Sequence, residues 1–340
     1  MPMERYDADQ KAAIEAFGGH YLVLAPPGCG KTEILSERVV HARTCGVDLS
    51  DMLCLTFTNR ASRGMRDRIR QKIGEDADAI FIGNVHRFCS SFIYNNALVP
   101  ANSAIIDDEE MADVLLEFNS DYFTNTNRDV DKNKVAMVDN IDAYLQQRCL
   151  CQPQTAYFVP EHYDSYYQRA VSAQFDPANL ASDDIMHYVL LFQQYKRSHN
   201  LISFSDILII AYEALRNDTE HRFRRYRWVE VDEVQDLNAL QTAIIDELCD
   251  TSDDLTVMYL GDQQQAIFSF LGAKLGQLEL LRNRCKGHVM TLATNYRSPQ
   301  YMLNLLNQYA EHELGVAHDL LPHSNNNRPP EKNDLLLVAN

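Results

Sequence analysis

One short stretch, residues 21–35 with the sequence YLVLAPPGCGKTEIL, restricts the possible folds more than any other part of this chain. Its apolar first part is typical of a buried strand, and residues 31–44 have the pattern of a helix. Between them, GCGKT has the composition of a phosphate-binding loop, in which backbone N–H groups and a helix N-terminus point at anionic oxygens. The order of strand, glycine-rich turn and helix predicts a nucleotide-binding α/β fold.

The residue types of the loop suit this chemistry. Gly28 and Gly30 allow the tight curvature, Lys31 is expected to neutralise the β and γ phosphates, and the Thr32 hydroxyl is expected to hold Mg²⁺. The alternative is a chance GxGK[ST] pattern in a glycine turn. The flanking strand and helix favour the phosphate loop.

The entry of the loop departs from the usual pattern. Ala25 stands where the pattern has glycine, which is tolerated if its φ is negative. Pro26 and Pro27 lack N–H donors, so we expect them only to shape the loop. With Cys29, these residues complete the predicted nucleotide-binding segment.

A second element supplies carboxylates. The segment WVEVDEVQD begins at Trp228, and Asp232 ends its apolar part, where a carboxylate can reach Mg²⁺. Glu233 beside it is suited to orient or deprotonate a water molecule. Acidic residues after a strand also occur as solvated loop tips. Together with GCGKT, they predict nucleotide hydrolysis.

A third element is the glutamine cluster Gln263–Gln265, which follows the apolar run 257–260. An amide at this position can hydrogen-bond a terminal phosphate. Phe268 and Phe270 follow, and their rings offer faces for base stacking, each worth about 1–3 kcal/mol. Ordinary core packing is the alternative for both rings, and the pattern by itself favours it.

Composition adds only broad limits. The net charge of −17 argues weakly against a nucleic-acid partner, because a local groove can still be basic. No apolar run approaches the ~18 residues of a membrane span, so no membrane association is expected. The 8 cysteines form no CxxC pair, and the Cys149–Cys151 spacing suits zinc poorly. We expect free thiols, neither disulfides nor metal sites, and a cytoplasmic location.

Short apolar, β-rich runs recur along the chain, and helix-like stretches such as 61–73 alternate with them. This alternation predicts an α/β layered parallel sheet. The segment from about residue 92 to 196 has few strand-like runs and reads as a mostly helical insertion. The predicted strands are 21–24, 52–57, 79–82, 228–231, 256–260, 289–292 and 335–338.

Taken together, the motifs resemble those of the superfamily 1 DNA helicases of the UvrD/Rep/PcrA group. The resemblance runs in order from residue 6 to about residue 300. It is carried by YDADQ (6–10), APPGCGKT (25–32), TFTNRAS (56–62), GNVHRF (83–88), FSDIL (204–208), VDEVQDLNALQ (231–241), GDQQQAIFSFLGA (261–273) and NYRS (295–298). Members of this family commonly have alanine where Ala25 stands.

The resemblance implies ATP and Mg²⁺ as cofactors and single-stranded DNA, or DNA with single-stranded tails, as the partner. For the nucleotide, it implies that Gln10 contacts adenine and Tyr296 stacks on it. For catalysis, it implies Lys31, Asp232 and Glu233, with Gln265 sensing the γ-phosphate and Arg297 acting as an arginine finger. The residues expected to face DNA are Phe57, Thr58, Asn59, His86, Phe268 and Phe270.

Some positions depart from the family. Glu33 stands where the family often has arginine, so the resemblance does not carry that nucleotide contact over to residue 33, and Arg38 is a candidate to share it. Phe268 and Phe270 replace tyrosine and tryptophan, which keeps the ring faces and loses polar edges. Leu271 replaces an arginine, which removes one expected DNA contact.

The implied architecture is a RecA-like P-loop NTPase sheet with an inserted helical subdomain. Residues 1–92 and 196–275 are predicted to form motor domain 1A, residues 93–195 the insertion 1B, and residues 276–340 the start of a second RecA-like domain 2A. A C-terminal motor half or a completing partner is then expected. This chain alone is expected to bind ATP weakly and not to unwind duplexes.

The resemblance implies an ATP-dependent DNA helicase or translocase with 3′→5′ movement, although no residue here fixes that polarity. Two alternatives stay open at this point. One is the helicase portion of a nuclease–helicase enzyme of recombination or repair. The other is a non-catalytic DNA-binding module that retains the fold.

Overall fold

The computed structural model describes only part of the chain, and every structural statement below concerns that part. The described residues are 5–106, 110, 195–249, 254–262, 273–314, 323–326 and 328–329. Most of the predicted insertion 1B, the cysteines at 149 and 151 and the predicted strand 335–338 lie outside these residues.

The architecture is built on a parallel sheet of 6 strands in the order β3-β2-β6-β7-β1-β8. The strands in chain order are β1 (Gly19–Leu24), β2 (Met52–Leu55), β3 (Phe81–Gly83), β4 (Ala104–Ile105), β5 (Leu201–Ile202), β6 (Trp228–Val231), β7 (Thr256–Gly261), β8 (Val289–Thr291), β9 (Thr294–Asn295) and β10 (His323–Ser324). Strands β2, β6 and β7 are buried along their whole length, as expected where helices cover both faces of a parallel sheet. The α/β prediction is confirmed.

The helices begin where the sequence supplies caps. They are α1 (Ala8–Glu15), α2 (Lys31–Thr44), α3 (Asn59–Ile73), α4 (Val85–Asn95), α5 (Phe204–Arg216), α6 (Ala239–Leu248), α7 (Ala273–Arg284) and α8 (Gln300–Leu314). Asp7 caps α1 and Thr58 caps α3, each by accepting a backbone N–H of the first turn. Helix α2 begins at Lys31, and its N-cap residue Gly30 has no side chain to accept the first N–H groups.

The central sheet lies in one of two compact units. That unit contains the described residues of Met1–Val85, Arg225–Asn238 and Cys249–Asn340. Strand β8 belongs to its sheet, since Leu22 pairs with Val289 and Leu24 with Thr291. The predicted boundary at residue 276 assigned this strand to a second lobe, whereas here it pairs directly with β1.

The other unit contains the described residues of His86–Arg224 and Ala239–Leu248. In it α5 packs on α6, and the rings of Phe92 and Phe223 meet edge to face at 4.8 Å. The FSDIL motif forms the start of α5. Ser203 and Asp206 make a reciprocal capping box there, and Lys196 Nζ donates to Asp206 Oδ2 at 2.8 Å.

Two further findings concern the cysteines and the hydropathy of the helices. The described cysteines are free thiols. Within the described part of the chain, no helix is long and apolar enough to span a membrane.

In the core of the first unit, a fully buried arginine on α2 contacts both α1 and β6. Arg38 lies 4.6 Å above the Trp228 ring, and its Nε is 3.4 Å from Glu230 Oε1. Its Nη1 donates to the carbonyl oxygens of Ala13 at 2.5 Å and Ala16 at 3.0 Å. Burial raises the pKa of Glu230, and the charge of Arg38 opposes this shift. Glu230 Oε1 also accepts the Trp228 Nε1–H at 2.8 Å, and Arg38 supplies the positive charge beside this carboxylate.

We expect Arg38→Leu to lower the free energy of unfolding by about 3–5 kcal/mol, because it leaves a buried carboxylate without its cation. Urea unfolding followed by circular dichroism measures the change. Arg43→Ala on the same helix is the control, since its ion pair with Asp76 is about half exposed and is worth at most about 1 kcal/mol. Equal losses in the two variants would contradict this account of the cluster.

Candidate functional site

The loop between β1 and α2 takes its curvature at the two glycines. Gly28 has φ +89° and Gly30 has φ +85°, a region that favours glycine. Ala25 is buried and does not have a positive φ; its N–H donates to the Gly261 carbonyl at 2.9 Å, one residue beyond the end of β1. The alanine thus extends the strand, and the turn needs no glycine at that position.

Asn295 fastens the NYRS segment onto this loop. Its Nδ2 donates to the Pro27 carbonyl at 2.7 Å, and its Oδ1 accepts the N–H groups of Arg297 and Ser298, both at 2.8 Å. The Tyr296 N–H donates to the Gly28 carbonyl at 2.9 Å. The sequence analysis assigned no role to Asn295, and its position at the start of the NYRS motif was the only available signal.

The same side chain limits residue 28. A Cβ added to Gly28 would lie 2.7 Å from Asn295 Nδ2. A similar restriction holds at Gly30, where a Cβ would lie 3.1 Å from Gln10 Nε2. Each glycine is therefore needed for space as well as for its backbone conformation.

Gln10 and Tyr296, both predicted to contact adenine, are brought together beside the loop. Gln10 is buried in α1, and its Nε2 donates to the Cys29 carbonyl at 3.3 Å. The Tyr296 hydroxyl donates to Asp7 Oδ2 at 2.6 Å and lies 3.4 Å from Gln10 Oε1, while 38% of Tyr296 stays exposed. The hydroxyl is thus anchored, and part of the ring remains accessible for stacking.

The acidic segment that follows β6 contacts the loop through an ion pair. Glu233, at φ +54°, turns the chain directly after β6, and its Oε2 lies 3.2 Å from Lys31 Nζ. Lys31 and Glu233 are 202 positions apart in the sequence, and the parallel sheet brings them into an ion pair. The two segments that the sequence analysis singled out form one site.

Asp232 is almost fully buried next to this pair. Burial, followed by the charge of Glu233, raises its pKa to about 6, and Lys31 opposes the shift. Its Oδ1 accepts the Glu233 N–H at 3.0 Å, and its own N–H donates to the Leu55 carbonyl at 2.8 Å. A carboxylate held in this way is suited to bind a cation that compensates for its lost hydration.

Gln235 holds Glu233 in place, a role that the sequence analysis did not assign. Its Nε2 donates to Glu233 Oε2 at 2.7 Å, and its Oε1 accepts the Asp262 N–H at 3.0 Å. Gly261 makes room for it, since a Cβ there would lie 3.0 Å from Gln235 Oε1. The amide therefore links the end of β7 to the carboxylate.

A cavity of about 360 Å³ opens at this junction. Cations from the phosphate loop and from other elements line this cavity. An anionic ligand requires such an arrangement of charge. Its lining residues are Pro27, Gly28, Gly30, Lys31, Thr32, Glu33, Arg68, Glu233, Tyr296 and Arg297.

Arg38 was a candidate for a nucleotide contact, and the structure does not bring it to the cavity. Its side chain has 0% exposure and is held by Glu230 and by the carbonyl oxygens at the end of α1. A guanidinium fixed in the core cannot reach a ligand in the cavity without breaking this junction.

The residues predicted to face DNA are only partly described. Phe57 is 45% exposed after β2, Thr58 caps α3, and Asn59 Oδ1 accepts the Asn84 amide at 3.0 Å. In the other unit, His86 lies in α4 with its ring 6.2 Å from that of Phe204, and burial lowers its pKa. Phe268, Phe270 and the predicted phosphate sensor Gln265 lie outside the described residues.

Replacing Gly28 tests the packing of the loop. We expect Gly28→Ala to destabilise the fold by about 1–3 kcal/mol from backbone strain, with a further loss from the contact with Asn295. In an Asn295→Ala background the contact is removed, so the cost of Gly28→Ala should fall, and a double-mutant cycle by urea unfolding measures the difference.

The matched control is Gly64→Ala in α3. Gly64 has open space around it and no positive φ, so alanine should stabilise the helix by up to about 1 kcal/mol. If Gly28→Ala behaves like Gly64→Ala, the loop is not restricted as described.

Comparisons with known proteins find related sequences. Residues 6–286 match the family described as UvrD/REP helicase N-terminal domain. The chain is 25% identical over 327 residues to the ATP-dependent DNA helicase UvrD1 of Mycobacterium tuberculosis. This alignment covers 92% of this chain and 40% of that protein. It is 23% identical over 314 residues to the ATP-dependent DNA helicase PcrA of Staphylococcus aureus. This alignment covers 90% of this chain and 40% of that protein. The chain thus spans about 40% of the length of these relatives.

Proposed function

This chain belongs to the UvrD/REP helicase family, and we propose that it is the ATP-hydrolysing part of a DNA helicase or translocase that moves on single-stranded DNA. The observation that carries the proposal is the 3.2 Å ion pair between Lys31 and Glu233 at the wall of the cavity. It joins the phosphate loop and the acidic strand in one site. The names of the relatives, ATP-dependent DNA helicases, supply the substrate class.

ATP binding is assigned to the loop and its neighbours. Gln10 and Tyr296 take the adenine, with the Tyr296 ring stacked on it. Lys31 exchanges its bond to Glu233 for bonds to the β and γ phosphates, and the uncapped N–H groups at the start of α2 receive phosphate oxygens. This exchange would release Glu233 for its own role.

The residues present fit a magnesium ion. The buried carboxylate of Asp232 and the Thr32 hydroxyl at the cavity wall are oxygen ligands of the kind that Mg²⁺ prefers. When bound, Mg²⁺ would neutralise charge on the transferring phosphoryl group.

Hydrolysis is assigned to residues around this centre. Glu233, positioned by Gln235, orients the attacking water and accepts its proton. Arg297, held near the loop through the bond from its N–H to Asn295, stabilises negative charge that develops on the phosphates. Gln265 is proposed as the sensor of the γ-phosphate.

We assign the exposed segment Phe57–Asn59 to single-stranded DNA, with His86, Phe268 and Phe270. An exposed ring next to the first turn of α3 suits base stacking and backbone contacts. The direction of movement implied by the resemblance, 3′→5′, is part of the same proposal. The free thiols are compatible with the cytoplasmic location that we propose.

For the domains, we propose 1A for residues 1–92 and 196–275 and 1B for residues 93–195. For residues 276–340 we propose the start of domain 2A, with β8 of this segment paired with β1 of the central sheet. Because the chain spans about 40% of its relatives' length, duplex unwinding is proposed only in the presence of a C-terminal motor half or a completing partner.

Two substitutions separate binding from hydrolysis. We expect Lys31→Ala to weaken binding of a fluorescent ATP analogue by about 10-fold to 100-fold, since it removes a charged hydrogen bond to phosphate. Glu233→Gln should retain binding and lower DNA-stimulated phosphate release by at least about 100-fold.

Arg43→Ala, which removes a half-exposed cation that does not line the cavity, is the control and should bind ATP like the unsubstituted protein. ATP binding that is unaffected by Lys31→Ala would overturn the assignment of the loop. Phosphate release that persists in Glu233→Gln would overturn the role of the carboxylate.

A further inference from the structure

Asp7 divides its two carboxylate oxygens between a helix and an aromatic ring. Its Oδ1 accepts the Gln10 N–H at 2.8 Å and so caps α1. Its Oδ2 accepts the Tyr296 hydroxyl at 2.6 Å, although Tyr296 lies 289 positions further along the chain. One side chain therefore contacts both residues that the proposed function assigns to adenine.

The bond between Asp7 and α1 is reciprocal. Gln10 Oε1 accepts the Asp7 N–H at 3.3 Å, which completes a capping box. Gln10 Nε2 in turn donates to the Cys29 carbonyl of the phosphate loop at 3.3 Å. These bonds give Asp7 a defined position relative to the loop, so its free oxygen is a fixed acceptor for the tyrosine.

Tyr296 is held at both ends of its side chain. At the backbone, its N–H donates to the Gly28 carbonyl at 2.9 Å, and the preceding Asn295 donates from its amide to Pro27 at 2.7 Å. At the tip, its hydroxyl donates to Asp7. A side chain held at its backbone and at its tip has little freedom to rotate, and Tyr296 nevertheless stays 38% exposed.

The bond between the two side chains joins a neutral donor to an ionised acceptor. Burial would raise the pKa of Asp7, but hydrogen bonds from the Gln10 N–H and from the Tyr296 and Thr294 hydroxyls outweigh it and lower the pKa. Burial and the bond to Asp7 raise the pKa of Tyr296. At neutral pH the phenol is therefore the donor, and a bond to an ionised acceptor is about twice as strong as a neutral one.

The orientation of the ring matters because base stacking depends on it. Aromatic rings attract each other in offset-stacked or edge-to-face arrangements, so a ring that rotates freely loses part of the contact. Ordering a side chain during binding also costs free energy, and a preorganised side chain avoids that cost. A group that fixes the ring thus contributes to binding without touching the ligand.

Resting on the proposed ATP site, we propose that Asp7 is a positioning residue for nucleotide binding, which holds the Tyr296 ring in the orientation that stacks on the base. Tyr296 lines the cavity with the phosphate-loop residues, whereas Asp7 does not. The contribution of Asp7 therefore concerns the base of a nucleoside di- or triphosphate and leaves the phosphates to the loop.

The test is calorimetric titration of Asp7→Ser, Tyr296→Phe and the double variant with ATP and with inorganic tripolyphosphate. Serine keeps an N-cap oxygen for α1 but lacks the carboxylate, and phenylalanine keeps the ring but lacks the hydroxyl. We expect each single variant to weaken ATP binding about 2-fold to 10-fold and to leave tripolyphosphate binding unchanged. Because both remove the same bond, the double variant should bind ATP no more weakly than either single variant.

The matched control is Asp9→Ser, which removes the same charge from an exposed position in the first turn of α1 and should change neither ligand. Asp7→Asn should keep most of the affinity for ATP, because its amide retains a capping oxygen and offers an N–H to the hydroxyl. Thermal unfolding identifies any loss of folded protein. Tyr296→Phe leaves the cap of α1 intact, so it tests the bond independently of the stability of the helix.

Three results would overturn the proposal. They are ATP binding by Asp7→Ser that equals binding by Asp9→Ser, equal losses for ATP and tripolyphosphate, and losses that add in the double variant. The proposed function fails separately, if the unsubstituted protein does not bind ATP or if Lys31→Ala leaves binding unchanged.

Discussion

Strand β7 hydrogen-bonds to β1 on one side and to β6 on the other, and the geometry of the site follows from this pairing. The strands are parallel, so their carboxyl ends lie at one edge of the sheet. The phosphate loop leaves β1 at that edge, and the acidic turn leaves β6 there. With β7 between them, Lys31 and Glu233 reach each other, and Gln235 spans from the acidic turn to Asp262 at the end of β7.

The charged groups of this unit divide into a buried and an accessible set. Arg38 is enclosed with Glu230 and Trp228 and has no access to the cavity, so its role is in the junction of α1, α2 and β6. Lys31 and Arg68 are paired with carboxylates at the cavity wall. Removing one partner of a fully buried ion pair costs about 3–5 kcal/mol, whereas an exposed pair is worth at most about 1 kcal/mol.

The short NYRS segment makes several contacts to the phosphate loop and to α1. Asn295 binds the loop through Pro27 and orients the backbone of Arg297, while Tyr296 is held by Asp7. The segment therefore places an aromatic ring and a guanidinium next to the loop.

The sequence by itself determined the fold class and most of the central strands, and it singled out both the loop and the acidic segment, because buried strands, glycine turns and carboxylates leave local patterns that do not depend on distant residues. It did not determine where long polar side chains point. Arg38 and Arg68 look alike in the sequence, as helical arginines near the motifs, yet one is enclosed by α1 and β6 and the other opens to the cavity. The roles of Asn295 and Gln235 and the pairing of β8 with β1 were likewise decided only by the tertiary structure, since each depends on contacts between segments far apart in the chain.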